Sequence, residues 1–268
     1  MKISLSKKNL CDLLLVSFLI LTILLVYISI ATDKISRWHL YNADALYIPS
    51  FFQDLFSSVS ILGWCLQPAP SFFPDMLLYG LIKGILGNLH LAIIGYGILQ
   101  CFLFIGSWLY LDRSVFRARY QVRSFVFLAG IIFFLVLSTG EVKAFVGILQ
   151  SGHHFGAMLM LVISLAFVAR IVGNEKTEEH SLIRYYFLLG VVATGTLLSD
   201  AIYLVQFIIP AMLSIGILFF CSLLSKQKTA LLFISLLAPC LSSFALDEWF
   251  LRYWKPQLTL FQQSFRET

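Results

Sequence analysis

Several uninterrupted stretches of about 18–25 residues carry almost no charge, and no other feature of the chain constrains its fold so strongly. A helix of that length crosses a hydrocarbon core of roughly 30 Å. Inside such a core only helices and closed barrels satisfy every backbone amide. The apolar runs are continuous rather than alternating, which disfavours a barrel. Hydrophobic residues make up 59% of the 268 and charged residues 12%, with a mean hydropathy of +0.88. A soluble domain of this length does not sustain such values. The chain therefore reads as an all-α polytopic membrane protein, a single membrane domain over residues 1–268. About seven spans are expected, at residues 13–31, 89–111, 124–139, 155–172, 185–198, 201–224 and 229–246.

Charge sets the expected orientation. With the N-terminus in the cytoplasm, 12 of the 19 Lys and Arg residues fall inside and 7 outside, as the positive-inside rule requires. Nine of the 14 acids fall outside, so the net charge of +5 divides into about +7 inside and −2 outside. The pI near 8.9 thus follows from topology, and nucleic acid is not an expected partner. The expected setting is the plasma (inner) membrane, with the lipid bilayer as partner and the C-terminus outside on a short tail, residues 247–268. Ser29-Ile30-Ala31 resembles a signal-peptidase site, but the apolar run before it is longer than most signal-peptide cores, so a retained signal anchor is expected. Five cysteines (11, 65, 101, 221, 240) show neither pairing nor ligand spacing, so neither a disulfide framework nor a zinc site is indicated; the cofactor is left open, a divalent metal among the options but without support in ligand spacing.

Between the first two spans lies a long polar and aromatic insertion, residues 32–87, of the kind that carries binding and chemistry. Ile48, Phe51, Phe52, Leu55, Phe56, Val59 and Leu62 form one apolar stripe at helical spacing, with Ser50, Gln53, Asp54, Ser57 and Ser58 opposite. An interfacial helix over 48–62 is expected, with Pro49 in its first turn and Asp44 just ahead of it. After Trp64 and a proline-broken stretch, a second helix begins near Pro74. In it Asp75, Tyr79 and Lys83 recur every four residues, leaving Met76, Leu78, Leu81, Ile82 and Ile85 for lipid or protein; Gly87-Asn88 ends it. Asp54 reads as solvated and Asp75 as a helix N-terminal acid complementing the dipole. Asp44, among Tyr41, Ala45, Leu46 and Tyr47, has no such account and stands as a candidate catalytic carboxylate.

Two further outer segments carry chemistry. Thr139-Gly140-Glu141-Val142-Lys143 leads towards His153-His154 at the mouth of the fourth span. One histidine with Lys143 suits a phosphate or pyrophosphate, or acid–base work; adjacent histidines point to different sides of a helix, which argues against one shared metal. The alternative is a pair of interfacial histidines bonded to backbone or lipid. Asp200 lies at the turn between the fifth and sixth spans, where Ser199-Asp200 either caps the next helix or supplies an intramembrane carboxylate. The candidate catalytic residues are therefore Asp44, Asp75 and Asp200, and the candidate substrate-binding residues Lys143, His153, His154 and Trp64.

A cytoplasmic N-terminus, a first span, an outer loop with the early acid of Asp44-Ala45-Leu46-Tyr47, two interfacial helices and six more spans together resemble the N-terminal module of the GT-C superfamily of membrane glycosyltransferases. The resemblance covers most of the chain and rests on loose motifs. It implies transfer of a sugar from a polyprenyl-phosphate donor on the outer face, with Asp44 as general base or acceptor organiser and a second outer acid among Asp75, Glu141 and Asp200. Most such enzymes have more spans, and often a soluble C-terminal domain, for which residues 247–268 are too few. The other expected readings are a non-catalytic subunit that binds lipid-linked glycan or assists a membrane-protein partner, and, third, a transporter.

Overall fold

A computed structural model describes residues 7–35, 40–41, 43–57, 64, 69–116, 122–138, 149, 154–173 and 179–266. All the elements among them are helical. They are α1 (Lys7–Ala31), α2 (Ala43–Phe56), a wide turn (Phe72–Met76) running into α3 (Leu77–Leu86), α4 (Leu89–Phe116) and α5 (Val122–Ser138). Then follow α6 (Phe155–Val172), α7 (Glu179–Ser199), a second wide turn (Leu204–Ile208) running into α8 (Ile209–Phe220), and α9 (Lys226–Arg266).

Among the described residues, five segments are long and apolar enough to cross a membrane: Cys11–Ala31, Leu89–Phe116, Phe155–Val172, Leu182–Ser199 and Lys226–Leu246. The remaining apolar helices, Arg123–Ser138 and Leu204–Phe220, are shorter. At 1.5 Å per residue the 17 residues of α5 reach only about 26 Å, less than a typical core. Beyond the last apolar segment, which ends at Leu246, the chain stays helical, so that α9 runs for 41 residues to Arg266. That is about 62 Å, roughly twice the thickness of the apolar core.

The chain divides into two compact units, one of residues 1–49 and 79–153, the other of 50–78 and 154–268. In the first, α1 lies along α5. Gly130 makes room for it: a Cβ there would come within 2.6 Å of Phe18 Cδ1. Asp12 of α1 forms an ion pair with Arg123 of α5. Phe102 of α4 stacks on Phe125 and meets Phe133 edge-on, with ring centroids 5.8 and 5.9 Å apart. Outward positions of α1 such as Leu14, Leu21 and Leu24 are exposed, as lipid-facing residues should be. Tyr41 Oη and His90 Nδ1 lie 3.0 Å apart.

In the second unit α7 is the central helix, packed on α9, α6 and the wide turn Phe72–Met76. Ser164 of α6 and Tyr203 hydrogen-bond at 2.6 Å, both fully buried. This pairing satisfies two hydroxyls that would otherwise be costly in an apolar interior.

The structure revises the first helix of the insertion and shows which side of the second is buried. The helix after the first span begins at Ala43, not near Ile48, and ends at Phe56. Asp44 thus falls within the helix rather than ahead of it. Pro49 is inside the helix rather than in its first turn. The stripe Asp75, Tyr79, Lys83 is buried, whereas Leu77, Leu81 and Ile85 are exposed, Ile85 to 82%. Helical period identifies a stripe but not the medium it faces, and in a membrane protein the apolar face turns to lipid. Lys83 closes α3 by donating from Nζ to the Gly87 carbonyl at 2.6 Å. Gly87 itself takes φ +66°, which costs glycine little. Asn88 Oδ1 then accepts from the amides of His90 and Leu91, at 2.9 and 3.1 Å, and so starts α4.

Candidate functional site

The site begins with backbone geometry. Four described non-glycine residues have positive φ: Asp33, Ser71, His154 and Ser222. Asp33 and Ser222 follow helix ends, where a left-handed residue is the usual stop. Ser71 and His154 instead precede the wide turn and α6, with φ 55° and 62°. A left-handed conformation costs an L-residue roughly 1–2 kcal/mol and persists where its surroundings enforce it. Both strained residues border the same group of polar side chains.

His154 Nδ1 and Asp200 Oδ2 form a hydrogen bond. The carboxylate is the acceptor, so Nδ1 carries the proton and Nε2 is left with the lone pair. Asp200 has 8% of its side chain exposed and His154 53%, so the acid is held inside and the imidazole reaches outward. The other Asp200 oxygen, Oδ1, accepts from the Ile202 amide at 3.1 Å. Asp200 therefore both caps the turn after α7 and orients a histidine 46 residues away in sequence.

The strand of chain before α3 is tied to the same place. Ser71 N donates to the Ser199 carbonyl at 3.2 Å, and Phe73 N donates to Ser199 Oγ at 2.6 Å. Ser199 Oγ in turn donates to the Gly195 carbonyl at 2.7 Å. Gly195 keeps the approach open, since a Cβ there would lie 3.0 Å from the Phe73 ring. Asp75, 3% exposed, lies over Gly156 in the first turn of α6. A Cβ on Gly156 would come within 2.8 Å of Asp75 Cγ and nearer still to Oδ2. Among the described residues no three His, Cys, Asp or Glu side chains gather closely enough to hold a metal ion.

A cleft of about 120 Å³ opens beside Asp200, walled by Pro70, Ser199, Leu204, Cys240, Ser243 and Phe244 among others. Ligand sites commonly run to roughly 300–1,000 Å³, so this one admits a few atoms of a larger molecule. Its wall is mostly apolar, with Asp200 as its charged group.

Of the seven candidate residues read from the sequence, three (Asp75, His154 and Asp200) come together in one unit. Trp64 is engaged elsewhere in that unit: its Nε1 donates to Asp54 Oδ2 at 3.1 Å, and its ring meets Phe51 edge-on at 5.6 Å. Asp54, expected to be solvated, is thereby a hydrogen-bond acceptor that anchors the tryptophan. Asp44 belongs to the other unit, and its side chain is outside the described part of the structure. Lys143, His153 and Glu141 also lie outside the described residues. Ser199 and Gly156 were not legible as site residues, because a serine before an aspartate and a glycine after a histidine have many ordinary uses. Comparison with known proteins finds no family model that matches this chain, no similar curated protein and no similar solved structure.

Proposed function

We propose that this chain is a membrane-embedded glycosyltransferase that uses a polyprenyl-phosphate sugar, with His154 and Asp200 as its acid–base pair. The observation that carries the proposal is the His154–Asp200 hydrogen bond, in which a buried carboxylate fixes one ring nitrogen and leaves the other accessible. General bases are built this way, because the carboxylate sets the tautomer and stabilises the imidazolium that forms. The pair sits at the ends of α6 and α7, two of the helices long enough to cross a membrane, where a lipid-linked substrate presents its headgroup.

In the proposed reaction Nε2 of His154 takes the proton of an acceptor hydroxyl. The acceptor oxygen bonds to the anomeric carbon as the bond from that carbon to the lipid phosphate breaks, and the polyprenyl phosphate leaves with the bonding pair. The reading includes a full set of seven crossings, with the two shorter apolar helices completing it, and an outward-facing site with the N-terminus inside. Charge asymmetry supports that orientation.

The test is transfer from a polyprenyl-phosphate sugar by the purified protein in detergent or proteoliposomes. His154→Gln and Asp200→Asn are each expected to lower the rate by about 10²–10⁴-fold while insertion and helical content persist. Asp44→Asn separates this assignment from the one the resemblance implies, and is expected to retain most activity. Transfer that survives both dyad substitutions and vanishes in Asp44→Asn would return the base to Asp44. No transfer by the wild type, with lipid-linked glycan still bound, would favour a non-catalytic subunit.

A further inference from the structure

We infer that Asp75 is a positioning residue for His154: its buried carboxylate holds the first turn of α6 and, through that turn, sets the imidazole against Asp200. The inference deepens the reading of His154 and Asp200 as the acid–base pair and rests on it. The first turn of any helix leaves amides without intrahelical acceptors and carries the positive end of the dipole. The residue before the first turn usually supplies a side-chain acceptor. Here that residue is His154, which makes no capping bond because its imidazole is engaged with Asp200. The carboxylate of Asp75, from a distant part of the chain, lies against Gly156 in that turn.

The same short segment is tied to the other half of the pair. Ser71 and Phe73 bond to Ser199, the residue before Asp200. Residues 71–75 therefore grip the end of α7 beside Asp200 and the start of α6 beside His154. With 3% exposure, Asp75 is withdrawn from solvent and acts on the substrate only through His154.

The experiment is nuclear magnetic resonance of ¹⁵N-histidine-labelled full-length protein in micelles or nanodiscs, with the His154 Nδ1–H resonance identified by its loss in His154→Gln. Asp75→Asn removes the charge while keeping the shape. Gly156→Ala pushes the carboxylate away from the opposite side and keeps the charge in the chain. Both variants are expected to lose or displace the wild-type His154 Nδ1–H resonance with helical circular dichroism unchanged. Asp75→Glu is expected to restore it in part. A wild-type resonance in whichever variant remains helical overturns the inference. If His154→Gln leaves transfer intact, the acid–base reading fails while the resonance still decides the role of Asp75.

Discussion

Ser199 does two things with one oxygen, accepting from the Phe73 amide and donating to the Gly195 carbonyl. Replacement by Ala leaves a half-buried N–H without that acceptor, a loss of at most about 1–3 kcal/mol by the measure of water-soluble cores and towards ~0.6 kcal/mol within a membrane bundle. Ser199→Ala is thus expected to lower the unfolding midpoint in mild detergent; an unchanged midpoint would mean that the Phe73 amide finds another acceptor. Tyr79 gives a second check at this scale. Burial, with Tyr41 nearby, holds its phenol well above the ordinary range. The unfolded phenol ionises near pH 10 while the folded one stays protonated. The unfolded state then binds fewer protons, and stability falls as pH rises past that point. Tyr79→Phe is expected to flatten this alkaline loss in a denaturation series from pH 8 to 11, and an identical slope would count against it.

At the scale of elements, what the sequence reveals depends on whether the signal is local. The span at residues 155–172 coincides with α6, and the break at Gly87-Asn88 is where α3 stops and α4 starts. Apolar run length, a residue tolerant of positive φ and a capping side chain all act within a few positions. The stripe of α3 was legible, but a helical period leaves open whether lipid, water or protein lies against it, and here Asp75, Tyr79 and Lys83 are the buried side. The His154–Asp200 and Trp64–Asp54 bonds were not foreseen as pairs, since contacts across 46 and 10 residues leave no periodic trace. The α1–α5 contact yields its own prediction. With the Phe18 ring against Gly130, Gly130→Leu has no space without moving one helix. It is expected to destabilise the protein by about 1–3 kcal/mol through overpacking, measured by thermal unfolding. Gly216, with open space around it, serves as the control for the same substitution.

For the whole molecule, orientation is the testable property. In a cysteine-free background, a cysteine at Gly87 is expected to react with a membrane-impermeant maleimide on intact cells, and one at Gly173 only after permeabilisation. The reverse pattern would invert the topology and place the His154–Asp200 pair on the cytoplasmic side. The two units are interleaved along the chain, since residues 50–78 belong with residues 154–268. During synthesis this order becomes a delay. Asp75 leaves the ribosome about 80 residues before Gly156, an interval of roughly 4–16 s at 5–20 residues per second. For those seconds the carboxylate lacks Gly156, the glycine it lies against, and the amides of Ser71 and Phe73 wait longer still, until Ser199 has been made.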